Sequence, residues 1–104
     1  MTKVTWFQQG DVTIQPAAIP VGKRKDAGRV LAYGEVTGHA HRLTAASDGL
    51  LVEIDGQLYL SVGAGGATIT HEEHRPVELP QGDYRIGRVQ EYDHFQEEAR
   101  QVRD

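Results

Sequence analysis

Four of the five histidines in the chain fall in two short motifs, Gly38-His39-Ala40-His41 and His71-Glu72-Glu73-His74. On a β-strand side chains repeat every two residues, so His39 and His41 project from one face and offer two imidazoles to one ion. The second motif stands where a strand meets a turn before Pro76, and His71 and His74 converge if the backbone makes one turn between them. Two such motifs on neighbouring strands supply three or four nitrogen ligands. That donor set suits a divalent transition metal, zinc, iron, nickel or copper, at about 2.0–2.2 Å. Glu72 or Glu73 would replace one ligand or orient an imidazole from behind. The expected metal ligands are therefore His39, His41, His71 and His74, and no catalytic residue is assigned because no general base stands out.

Other patterns narrow the chemistry. Arg42 follows His41 and Arg75 follows His74, so both motifs also read as solvated turns in which His and Arg pair with Glu. A zincin protease needs His-Glu-x-x-His on a helix, and here the second histidine comes one residue too early. Gly63-Ala64-Gly65-Gly66 lacks the Lys-Ser/Thr of a phosphate-binding loop and reads as a turn. No nucleophile-elbow pattern surrounds Ser47 or Ser61. The stretch from Gly22 to Arg29, with Lys23, Arg24 and Lys25, is a basic loop expected to be exposed and mobile, since it has little apolar surface to bury.

The elements that must position these residues follow a β rhythm. The chain of 104 residues has room for one domain, 1–104, and its lack of cysteine excludes a disulfide framework and zinc-cysteine sites. Glycines and prolines punctuate the first ninety residues, and the segments between them are short and rich in Val, Ile, Leu, Tyr and Thr. Lys3 to Phe7 and Asp11 to Gln15 read as a first strand pair joined through Gln8-Gln9-Gly10. Val30 to Tyr33 starts a third strand that continues toward His41. Leu50 to Ile54 and Gln57 to Val62 flank Asp55-Gly56, which signals a two-residue type I′ hairpin. Ala67 to Thr70, Val77 to Leu79 and Tyr84 to Tyr92 are further strands, with Pro80 to Asp83 a tight turn. Only the C-terminus changes period: Asp93 can cap a helix over 94–102 that stripes Phe95, Ala99 and Val102. The expected class is all-β, a small single-domain barrel or sandwich with one short C-terminal helix.

Two resemblances bear on this. The Gly34-to-His41 segment is similar to the first cupin motif, with its glycine and His-x-His pair, and Pro80-Gln81-Gly82 resembles the start of the second. The chain departs from the cupins by having Ala45 and Ala46 where a glutamate ligand belongs, and Arg85 where the last histidine belongs. The cupin likeness therefore implies a small barrel with a histidine site but not a complete three-His-one-Glu centre. Over most of its length the chain more closely resembles a family of small bacterial proteins without an established activity. The motifs that carry this are Gly10-Asp11-Val12-Thr13-Ile14-Gln15-Pro16, Gly34-Glu35-Val36-Thr37-Gly38-His39-Ala40-His41, Thr70-His71-Glu72-Glu73-His74-Arg75-Pro76 and Leu79 to Ile86. That resemblance implies that the two histidine motifs belong together.

The leading expectation is thus a metal-binding β-barrel protein using two histidine clusters. Alternatives are a homo-oligomeric interaction module that covers its sheet edges by self-association, and a small-ligand or nucleotide-binding protein with Arg42 or Arg85 as anion partner. A net charge of −4 disfavours nucleic acid as a partner. The absence of a long apolar run or a charged-then-apolar leader points to a cytoplasmic protein without membrane contact.

Overall fold

The computed structural model describes residues 6–34 and 38–89, which form ten β-strands and no helix. These are β1 Phe7–Gln9, β2 Val12–Pro16, β3 Lys25–Asp26, β4 Val30–Tyr33, β5 Ala40–Leu43, β6 Gly49–Ile54, β7 Gln57–Val62, β8 Ala67–His71, β9 His74–Leu79 and β10 Gly82–Arg88. They assemble into two antiparallel sheets, a larger one in the order β1-β2-β10-β7-β6-β3 and a smaller one in the order β4-β5-β8-β9. The all-β class expected from the spacing is the class observed. The helix expected over 94–102 lies outside the described residues. The strand expected from Tyr84 to Tyr92 is present but ends at Arg88, with Val89 beyond it, and residues 90–92 lie outside the described residues.

Alternation builds the core. Val12, Ile14, Leu51 and Leu60 from the larger sheet and Ile69 from the smaller are each 0% exposed. Leu51 and Leu60 face each other across the β6–β7 ladder, so this hairpin buries a matched pair on its inner face. Its turn has the expected geometry. Asp55 and Gly56 take φ of 51° and 79°, both positive, which is what a type I′ turn demands. Gly56→Ala should therefore cost about 1–2 kcal/mol, the penalty for forcing a Cβ into the left-handed region. Urea unfolding would show it, and an unchanged midpoint would mean that the turn relaxes to another type.

Three local expectations need correction. Gln8 and Gln9 are not a linker but the end of β1: Gln9 pairs with Val12, leaving Gly10-Asp11 as a two-residue turn. Their amides suggested a loop, yet both side chains are buried and hydrogen-bonded. The third strand does not continue to His41. β4 and β5 are separate antiparallel partners, with a register irregularity between Val30 and Ala32. Lys23, Arg24 and Lys25 are exposed as expected, but Lys25–Asp26 is tied into the larger sheet against Val52 and Glu53. An edge strand needs only backbone groups for its ladder, and Lys25 gains an opposite charge in Glu53 across the pair.

Candidate metal centre

β5, β8 and β9 are consecutive in the smaller sheet, and each contributes a histidine to one end of it. His71 and His74 form the last pair of the β8–β9 hairpin, with Glu72-Glu73 as its turn. Arg42 pairs with Thr70, and one further step along this register sets His41 opposite His71. The result is a row of three imidazoles across three strands. Ring centroids are 4.4 Å apart for His41 and His71, 4.7 Å for His71 and His74, and 6.0 Å for His41 and His74. Strands two apart in a sheet are separated by about 9.5 Å, so the outer rings lean together over His71. His39, just before β5, closes the group with its ring 5.6 Å from that of His71. All four sequence-predicted ligands are thus brought together, with His71 in the middle.

Not all are equally placed to share an ion. Donor atoms of His39, His71 and Glu72 lie within 4.8 Å of one another, and among the described residues no other three groups of this kind do. Glu72 is held from two sides: its Oε1 accepts from Ala40 N–H at 2.9 Å and its Oε2 from Arg42 Nη1 at 3.0 Å. The Ala40 amide, with help from Glu72's own N–H and from Arg42, holds this carboxyl at about 2, well below the usual carboxylate range. Glu72 is therefore ionised throughout the pH range in which imidazoles are free to bind metal. Glu73 Oε1 lies 3.6 Å from His39 Nδ1, while its N–H donates to His71 Nδ1 at 3.0 Å. An ion bound through Nδ1 of His71 would replace that last contact, and one bound through Nε2 would require the other tautomer.

The best-determined ring is His41, which is 2% exposed. Gln9, at 0% exposure, reaches across from β1 in the other sheet. Its Nε2 donates to Ile69 O at 3.0 Å and Arg75 O at 2.8 Å, which uses both amide hydrogens. The Oε1 end must therefore face His41 Nδ1, 2.8 Å away, and accept its proton. His41 is fixed as the Nδ1–H tautomer, so its Nε2 lone pair is the free one. This is the outer-shell arrangement that orients a metal-bound imidazole.

Burial, followed by the neighbouring His71, lowers the His41 pKa from 6.5 to about 4, with Asp11 opposing and His74 and Arg88 reinforcing. In metal-free protein the ring should titrate near pH 4 by NMR. The unfolded chain takes up this proton from pH 6.5 downward while the folded chain refuses it. The stability of the fold should accordingly be full above pH 6.5 and decline as pH falls toward 4. His41→Phe should flatten that decline, and equal pH slopes in both proteins would show that another group controls it.

The cluster forms the floor of a cleft of about 670 Å³, whose lining includes Asp11, Tyr33, Glu73 and Arg88. Neither Arg42 nor Arg85, the arginines expected as anion partners, lines it. Arg42 is turned to Glu72, and the arginine at the cleft is Arg88, whose Nη2 donates to Tyr33 O at 2.8 Å. Sequence reasoning also missed Gln9 and Asp11. Gly10-Asp11 signals a turn that ends one strand at Gln9 and begins the next at Val12, but not that Gln9 or Asp11 faces the histidines.

Fold and site together define an all-β protein with a histidine-lined cleft at one end of its smaller sheet. The chain belongs to the family described as domain of unknown function DUF8820, whose model matches residues 8–89. No curated protein and no solved structure matches the chain. Among the described residues no helix is long and apolar enough to cross a membrane.

Proposed function

We propose that the domain binds a divalent transition-metal ion in this cleft through His39, His41, His71 and His74, with Glu72 as an additional carboxylate donor. The observation that carries the proposal is the convergence of four imidazoles from two sequence segments around His71. The pairing expected of solvated turns is also present, in Arg42 with Glu72 at 3.0 Å. It does not account for the rings themselves, which turn inward on one another. Burial and the neighbouring His71 keep His41 neutral, which is the form that ligates metal. In this reading the two sheets are the layers of a small sandwich, open at the end that carries the cleft.

The ion would supply Lewis acidity, and a coordination position left to water would make hydrolytic or oxygen chemistry accessible. The cleft is of a size that admits a small molecule beside the ion. Zinc, iron and nickel all suit imidazole donors. Elemental analysis of protein purified without a histidine tag, followed by zinc titration, tests the proposal, and about one equivalent of bound ion is expected. Protein that neither carries metal nor takes up zinc at micromolar concentration would overturn it. If the metal-free mass in solution were then a multiple of 11.5 kDa, self-association through the histidine face would take its place.

A further inference from the structure

The β1–β2 turn brings an acidic residue against the histidine cluster. Gly10 has φ of +58°, and Asp11 follows it without positive φ, the pattern of a type II′ turn. The turn is pressed close: a Cβ at Gly10 would lie 2.7 Å from His74 Nε2. Asp11 is fixed from the other side, its carbonyl accepting from Val89 N–H at 2.9 Å. This places Asp11 Oδ1 3.7 Å from His41 Nε2.

That separation joins two acceptors. Gln9 holds the proton of His41 on Nδ1, so the nitrogen facing Asp11 carries a lone pair. A carboxylate oxygen has no proton to give, and 3.7 Å is too long for a hydrogen bond in any case. Two donor atoms at about 2.0–2.2 Å from one ion lie about 2.8–3.8 Å apart when they subtend 90–120°. As a pair, Asp11 and His41 stand at the separation of two donors on one cation, beside the His39, His71 and Glu72 trio, and a common ion would draw the pair and the trio together. The second oxygen of Asp11 faces Arg88 Nε at 3.7 Å, and Arg88 is itself anchored on the Tyr33 carbonyl. A ligating carboxylate is commonly supported from behind by a partner of this kind.

We propose that Asp11 is a ligand of the bound ion, so that the centre is a mixed imidazole and carboxylate site that accepts manganese(II) or iron(II) as well as zinc. The inference rests on the metal-binding reading of the cleft and adds to it a donor that changes metal preference, because carboxylate oxygen favours the harder ions. Asp11 is half-exposed, with 57% of its side chain accessible, so Asp11→Asn leaves the fold intact while removing the charge.

The test compares full-length wild type and Asp11→Asn, each titrated with manganese(II), cobalt(II) and zinc(II). Manganese affinity should fall at least about 10-fold in the variant, zinc affinity should fall less, and the visible spectrum of the cobalt form should shift. In the wild type, the Asp11 carboxyl carbon resonance should move on zinc addition. Wild type that binds zinc while the variant matches it in manganese affinity and cobalt spectrum would overturn the Asp11 assignment and leave the histidine site standing. Wild type that binds none of the three ions would overturn both.

Discussion

His71→Ala is expected to weaken zinc binding by more than about 100-fold, since even partners outside the coordination shell are worth about 10–100-fold. No other single histidine should match it. His71 is the one ring in contact with each of the other three, and it belongs to the only tight donor trio among the described residues. Its side chain is partly exposed at the end of β8, where truncation leaves no sealed cavity. The thermal midpoint of metal-free protein should therefore change little. Competition against a chelator gives the affinity and a melting curve gives the control. Zinc affinity that survives the substitution would place the ion elsewhere.

Gln9→Leu should be the most damaging change to the fold outside the apolar core. The substitution keeps the bulk but removes three hydrogen bonds at once, two of them buried, to the Ile69 carbonyl and from the Nδ1–H of His41, and one part-buried, to the Arg75 carbonyl. Each buried group left without a partner costs about 1–3 kcal/mol, so a loss of about 2 kcal/mol or more is expected by urea unfolding. Metal affinity should fall too, by about 10–100-fold, because His41 is released to the other tautomer. A stable variant with unchanged zinc affinity would show that water replaces the amide, and that Gln9 neither joins the sheets nor orients the ring.

These two residues mark the boundary of what the sequence made legible. His39, His41, His71 and His74 could be picked out because they fall in two short motifs: a two-residue turn sets His71 and His74, whereas of the first pair only His41 lies on β5, so a strand period of two does not place His39. Asp55-Gly56 was equally readable, since the backbone need for positive φ is written in the residue types. Gln9 was not. A buried amide makes sense only once Ile69, Arg75 and His41 surround it, and they are far from it in sequence. Asp11 was hidden for a related reason, because its role depends on β1 and β2 meeting the end of the other sheet. The separation of β4 from β5 was missed because alternation gives strands their faces but not where one ends and an antiparallel neighbour begins.

The contact across the sheets has a dynamic consequence. β1 is the edge of the larger sheet and β9 the edge of the smaller, and the two lie against each other. The Gln9 amide pins this border, with one hydrogen to β8, the other to β9 and its oxygen to a ring on β5. Parting the sheets here would break all three bonds in a single event and leave the His41 Nδ1 proton open to solvent. The lifetime of that one imidazole proton, followed by hydrogen exchange, is therefore a clock for the opening of the border. A ligand held on both sides of the cleft, by the histidines of the smaller sheet and Asp11 of the β1–β2 turn, should slow the clock.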